Sequence, residues 1–119
     1  MRLNALPIAT VALACTACSY TFPIAVVSKD VPGGILRGQG EVGMSGGTFS
    51  VSNGTLSCAG SYDGMDMSTT ITIPILCNDG RKGLVTATRS NSGTSGGGRF
   101  SLNDGATGDF IFGPAARQL

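Results

Sequence analysis

The chain has 119 residues, of which 13% are charged and 41% hydrophobic, so it is too apolar for a disordered polyelectrolyte and too short for more than one domain. Eight basic residues stand against seven acidic ones and neither sign forms a run, so a nucleic-acid surface, which needs clustered cations, is not expected. Nineteen glycines without a triplet period predict short strands joined by tight turns, rather than collagen or a linker.

Residues 1–18 have the organisation of a signal peptide. Arg2 is followed by an uncharged run from Leu3 to Val27. The apolar centre of this run is about a dozen residues long, which is too short for a helix that crosses roughly 30 Å of hydrocarbon. We therefore expect residues 1–18 to direct export and to be cleaved from the mature chain.

The end of this leader resembles the lipobox of bacterial lipoproteins, in which a small residue precedes a cysteine that is acylated before cleavage. Residues 15–19 read Cys-Thr-Ala-Cys-Ser, with Cys15 at the position where the family usually carries leucine. The resemblance implies lipidation of Cys18, a membrane partner through that anchor, and a place in the bacterial cell envelope facing the periplasm or the surface. Three alternatives stay open: lipidation of Cys15, plain secretion after a cut near Ala17, and an uncleaved anchor that extends to Val27.

Residues 19–34 mix apolar side chains with Pro23, Pro32 and a glycine pair, and they sustain neither a helical nor a strand period. We expect this segment to be a tether that leads into a single β domain over residues 35–119. The stretch from Pro23 to Val27 could instead lie along the domain as an extra edge strand, because proline is tolerated at the start of a strand.

From Gly46 onward the chain repeats a unit in which alternating residues lead into Asn-Gly or Asp-Gly. Residues 47–54 match residues 98–105 position for position, and residues 73–80 form a looser third copy. Such a pattern predicts a hairpin with a type I′ turn, in which both central residues have positive φ. Three hairpins are therefore expected, with turns at Gly54, Gly80 and Gly105.

The predicted strands have one apolar face and one face rich in serine and threonine. No amphipathic helix is available to cover the apolar face, so the sheet must close on itself. The predicted fold class is all-β: a small antiparallel meander that closes into a barrel or β-roll, built from the three hairpins and one more strand over residues 37–44. Pro74 interrupts its strand and predicts an edge or a bulge there.

The repeated unit also carries two resemblances. Gly-Thr-Phe-Ser-Val-Ser-Asn-Gly-Thr at residues 47–55 resembles the hairpin core of MORN repeats, a likeness that covers residues 47–60 and 98–110 and implies an assembly or scaffold role. The Cys-Asn-Asp-Gly-Arg-Lys-Gly turn at residues 77–83 and the Phe-Ile-Phe-Gly end at residues 110–113 resemble small bacterial envelope lipoproteins. That second likeness implies no activity.

Two cysteines, Cys58 and Cys77, remain in the mature chain if Cys18 is lipidated and the leader is removed. An even pair in an oxidising compartment predicts a disulfide, and two buried thiols are the alternative. In a simple hairpin Cys58 would lie opposite Ile71, about 20 Å from Cys77. The bond therefore requires either strands that face each other across a closed barrel or a longer loop with a shifted register.

No metal centre and no cofactor are expected, because the chain has no histidine and two sulfurs cannot complete a tetrahedral zinc site. Gly38–Gly43 matches the GxGxxG string of dinucleotide-binding loops, but no helix can follow it. The run Gly93–Gly97 resembles the surroundings of a serine nucleophile, which would need a base to take its proton. We therefore expect that the protein is not an enzyme.

The expected function is that of an exported, lipid-anchored envelope protein with a structural or binding role, for which another envelope protein is a candidate partner. The alternative is a small hydrolase or ligand carrier with a site in the barrel mouth. An open cavity in which Asp63, Asp66 or Asp79 converge would favour that alternative. Asp63 and Asp66 are expected to lie in a polar loop between the first and second hairpins, and a calcium site or a general acid is the weaker alternative for them.

Overall fold

The fold is a closed barrel of eight antiparallel strands followed by one short 3₁₀ helix. It was obtained as a computed structural model and describes residues 19–64, 66, 68–90 and 95–119. The strands are β1 (Tyr20–Val27), β2 (Ile35–Gly43), β3 (Gly46–Ser52), β4 (Ser57–Tyr62), β5 (Thr70–Cys77), β6 (Lys82–Arg89), β7 (Gly96–Leu102) and β8 (Thr107–Phe112), and the helix covers Pro114–Gln118. Each strand pairs with its neighbours in sequence, and β1 pairs with β8 to close the barrel. The predicted all-β closed sheet is therefore confirmed.

The first strand lies in the segment predicted to be a tether. Strand β1 pairs with β2 along its whole length and with β8 from Ile24 to Val27. The tether over residues 19–34 is therefore corrected: these residues supply one strand of the barrel and one loop, and the alternative of an additional strand over Pro23 to Val27 is the nearer description. The sequence of β1 does not alternate between apolar and polar residues, because both of its faces are covered at Ala25. Ile24 and Val26 point into the barrel, and Ala25 between them is buried on the outside, where the 3₁₀ helix packs against β1.

Side chains from alternate positions of every strand fill the barrel interior. The largest fully buried ones are Phe100, Leu36, Val26, Val51 and Val85. The opposite positions of the same strands are exposed and carry mostly serine, threonine and charged residues. In the described part of the chain, no buried side-chain nitrogen or oxygen lacks a hydrogen-bond partner. The apolar face is thus turned inward, as the alternation predicts.

Interior aromatic rings lie on glycines of the neighbouring strand. Phe22 is paired with Gly40, and Tyr62 is paired with Gly47. A Cβ atom added at Gly40 would lie 2.4 Å from the Phe22 ring, and one at Gly47 would lie 2.3 Å from the Tyr62 ring. Glycine at these positions lets each ring lie flat against the adjacent backbone, which allows a narrow barrel to hold large side chains.

The three predicted turn glycines all have positive φ, at 95° for Gly54, 91° for Gly80 and 97° for Gly105. All three turns nevertheless differ from the predicted two-residue type I′ form. The N–H of Gly80 donates to the carbonyl of Cys77, and the N–H of Gly105 donates to the carbonyl of Leu102. The central residues are therefore Asn-Asp, and the glycine follows as a bulge, which is the usual three-residue hairpin loop. At Gly54 an asparagine side chain accepts two backbone N–H groups and holds a longer loop.

The barrel wall is least continuous between β4 and β5. Three residue pairs join these strands, from Cys58–Cys77 to Gly60–Ile75, whereas seven pairs join β5 to β6. The β4–β5 ladder stops next to Pro74, a residue that has no N–H to donate. The predicted edge character of this strand is therefore local: β5 is unpaired on its β4 side before Ile75, although the barrel as a whole is closed. We call this region the seam.

Cys58 and Cys77 form a disulfide, with their Cα atoms 3.9 Å apart. They are direct partners in the β4–β5 ladder, and both side chains are buried. Of the two geometries that would allow the bond, the barrel has the shifted register. Residues 70–74 of β5 have no partner in β4, and this shift places Cys77, rather than Ile71, opposite Cys58.

Candidate functional site

The two ends of the barrel carry different side chains. One end, here called the turn end, consists of the loops at residues 28–34, 53–56, 78–81 and 103–106. The other, here called the mouth end, consists of the start of β1 and the connections that follow β2, β4 and β6. Possible sites therefore fall into three places: the turn end, the mouth end and the outer wall between them.

Carboxylates at the turn end hold the loops together. Arg81 donates to Asp79 through Nε at 2.8 Å and to Asp104 through Nη1 at 2.9 Å. Hydrogen bonds from backbone N–H groups, together with the Arg81 guanidinium, lower the pKa of both carboxyls. Asp30 accepts from the backbone N–H of Thr107, which lowers its pKa as well. These groups stay ionised at neutral pH, so they suit a structural role better than that of a general acid.

The acidic pair predicted to lie near the mouth builds the β4–β5 connection. The N–H of Asp66 donates to the carbonyl of Asp63, and the Asp66 carboxylate accepts from the N–H of Ser68. Hydrogen bonds from Ser68 lower the pKa of Asp66. Arg89 donates to the backbone carbonyls of Asp66 and Ser68. Asp79 lies at the opposite end of the barrel, so the three carboxylates of the alternative site do not converge.

A small cavity lies inside the mouth end, lined mainly by aromatic and aliphatic side chains that include Tyr20, Phe22, Tyr62, Ile71 and Phe112. Its volume is about 70 Å³. Pockets for small molecules measure about 300–1,000 Å³, and one water in the liquid takes about 30 Å³. Burial raises the pKa of Tyr62, against the opposing charge of Arg89, so the phenol stays neutral. The cavity has room for a few waters and none for an ordinary metabolite.

A larger concavity of about 800 Å³ lies on the outer wall across β2 to β5, and we call it the outer groove. Its floor consists of short side chains such as Ser50, Ala59 and Ser61, and it crosses the seam. Exposed apolar residues lie on its β5 side, where Leu76 has 56% of its surface accessible. Sequence reasoning missed this groove because it depends on which short side chains become neighbours across three strands.

The glycine-rich look-alikes have structural explanations. Gly38–Gly43 lies within β2, and no helix follows it. A Cβ atom added at Gly38 would lie 1.8 Å from the carbonyl oxygen of Ser50, so close strand approach accounts for this glycine. In the run Gly93–Gly97, Ser95 donates to Ser90, Gly96 begins β7, and the residues before Ser95 lie outside the described part.

The predicted lipidation residue Cys18, its alternative Cys15 and the leader lie outside the described residues, which begin at Ser19. Among the described residues there is no cluster of three or more potential metal ligands. The same residues contain no helix that is long and apolar enough to cross a bilayer.

Comparison with known proteins returns no neighbour for this barrel: no family model, curated protein or solved structure matches the chain.

Proposed function

We propose that the chain is an exported, lipid-anchored envelope protein whose barrel has a structural or binding role. The observation that carries this proposal is the buried Cys58–Cys77 disulfide. Disulfides persist in oxidising compartments and are rare in the cytosol, so the bond supports export independently of the leader. The lipobox-like end at Cys18 adds the anchor.

The polar groups of the described residues support a non-catalytic role. Their shifted carboxyls are bound to backbone N–H groups or to Arg81, and they are divided between the two ends of the barrel. A hydrolase needs a nucleophile beside a base with a suitable pKa, and the chain has no histidine. The mouth cavity, at about 70 Å³, would have to enlarge several-fold to carry a ligand. The hydrolase or carrier alternative is therefore the weaker proposal.

The outer groove is the surface that best suits a binding role. It combines the exposed apolar side chain of Leu76 with Glu41 and Lys82 on its lining. A concave patch with an apolar centre and charged rim is typical of sites that receive another protein. We propose it as the place where another envelope protein would dock.

Metabolic labelling with palmitate in a bacterial host tests the anchor. The wild-type chain should incorporate label, and globomycin should cause an unprocessed precursor to accumulate. The variant Cys18→Ala should lose the label, whereas the matched variant Cys15→Ala should keep it. Loss of label only in Cys15→Ala would move the site to Cys15, and an unlabelled wild type would refute the lipid anchor.

A further inference from the structure

The start of β1 limits how far the barrel can stand from an anchor at Cys18. One residue, Ser19, separates that cysteine from Tyr20, the first residue of β1. Two residue steps span at most about 7 Å. Tyr20 is paired with Val42 and is therefore held within the sheet. A lipid on Cys18 would consequently bring the mouth end, rather than the side or the turn end, to the headgroups.

The surface of the mouth end suits that position. Met44, in the turn after β2, is 82% exposed, more than any other large hydrophobic side chain among the described residues. Tyr20 is 48% exposed and stacks on Phe22, with the ring centroids 6.1 Å apart. Tyrosine is enriched at the level of lipid headgroups because its ring is apolar and its hydroxyl is polar. Met44 follows two residues after Val42, the partner of Tyr20, and its exposed side chain would lose contact with water in the same layer.

The turn end lies at the far end of the strands from Cys18. Its loops carry the Arg81 ion pairs with Asp79 and Asp104, and the side chain of Lys29 is 87% exposed. Tilted strands of about eight residues place the two ends roughly 20 Å apart. The turn end would therefore project into water while the end that carries Tyr20 and Met44 meets the membrane.

We propose that the mouth end of this barrel docks on the bilayer surface, with Tyr20 and Met44 in the headgroup layer. The occupant of this surface is lipid, and the inference rests on the proposed lipidation of Cys18. It goes beyond that anchor because it assigns an orientation: the outer groove faces sideways, parallel to the membrane plane, where a neighbouring envelope protein can reach it.

Intrinsic fluorescence can test the orientation. The chain has no tryptophan and two tyrosines, Tyr20 and Tyr62, and both line the mouth cavity. Lipidated protein purified from membranes would be reconstituted into phosphatidylethanolamine–phosphatidylglycerol vesicles with or without bromine on the acyl chains. We expect brominated lipid to quench tyrosine emission. Met44→Glu, which alters an exposed turn residue, should keep palmitate but lose part of the quenching, because a charge resists entry into the headgroup layer.

A matched reporter at the other end provides the control. In a Tyr20→Phe, Tyr62→Phe background, Lys29→Tyr places the single tyrosine at the exposed turn end, and brominated lipid should leave its emission unchanged. Quenching of that reporter, or unquenched wild-type tyrosines in a protein that carries palmitate and floats with the vesicles, would overturn the orientation and leave the lipid anchor standing. Absence of palmitate from the wild type would instead refute the proposed function.

Discussion

Replacing both bonded cysteines, Cys58→Ala with Cys77→Ala, should lower the melting temperature of the mature barrel by roughly 10–25 °C. The bond closes a loop with a sequence separation of 19 residues. In the chain-entropy model, opening such a loop costs about 3 kcal/mol, because the unfolded chain regains conformational freedom. For a domain of about 100 residues, each kcal/mol shifts the melting temperature by about 4–8 °C. Loss of two buried sulfur atoms adds a smaller packing cost.

The structure also predicts where the weakening should appear. The Cys58–Cys77 pair is one of only three pairs that join β4 to β5, so the seam depends on the bond more than any other part of the wall does. Hydrogen exchange should accelerate most in β4 and β5. Val85, at the centre of fully paired β6, should be affected mainly through global unfolding.

Thermal unfolding followed by far-ultraviolet circular dichroism, with and without dithiothreitol, provides the assay. Reduction of the wild type leaves both side chains in place and therefore isolates the bond from the packing change. The double alanine variant should not respond to reductant. The reasoning fails if reduction lowers the wild-type melting temperature by less than about 4 °C, which corresponds to under 1 kcal/mol. It also fails if exchange rises equally in all strands.

Three further tests address the turns, the strand packing and the ion pairs. Gly80→Val should lower the free energy of unfolding, measured in urea, by about 1 kcal/mol or more. No atom lies close to an added Cβ, but the backbone φ of 91° is unfavourable for a β-branched residue. An unchanged urea midpoint would contradict this. Gly98→Ala should destabilise the barrel by about 2 kcal/mol more than Gly97→Ala. A Cβ atom added at Gly98 would lie 1.6 Å from a carbonyl oxygen of β6, whereas one added at Gly97 would lie 3.1 Å from a carbonyl oxygen of β8. Equal urea midpoints for the two variants would refute the close approach at Gly98. Because the pKa of Asp79 is lowered in the folded state, its contribution is present above the unfolded pKa and is lost as pH falls through the folded value. The melting-temperature gap between wild type and Arg81→Gln should therefore narrow below about pH 4, and a gap that persists at about pH 2 would contradict the ion-pair assignment.

Local patterns in the sequence were sufficient for several features of the fold. Phe49 and Val51 alternate with polar residues on their strand, and such alternation with no covering helix predicted the closed sheet. Gly54, Gly80 and Gly105 follow asparagine or aspartate, and this local chemistry predicted positive φ at all three. The predicted type I′ form was wrong at all three, because the loop length depends on how the flanking strands pair.

Other features could not be predicted because they depend on residues far apart in the chain. Strand β1 was predicted to be a tether because its residues do not alternate between apolar and polar. The outward-facing Ala25 is apolar because the C-terminal 3₁₀ helix packs on that side of β1. The mouth cavity and the outer groove likewise depend on neighbours across strands, and such neighbours are set by register.

The sequence by itself determined that this chain forms an inward-facing apolar sheet, where three of its turns fall, and that Cys58 and Cys77 were the pair available to bond. These are properties of consecutive residues: side-chain alternation, turn chemistry and composition. Only the tertiary structure decided that Cys77, rather than Ile71, lies opposite Cys58, and that a cavity lined by Tyr20, Phe22 and Tyr62 lies at the mouth end. The reason is that closing eight strands into one ring requires all the registers to be mutually consistent, a condition that no single segment contains.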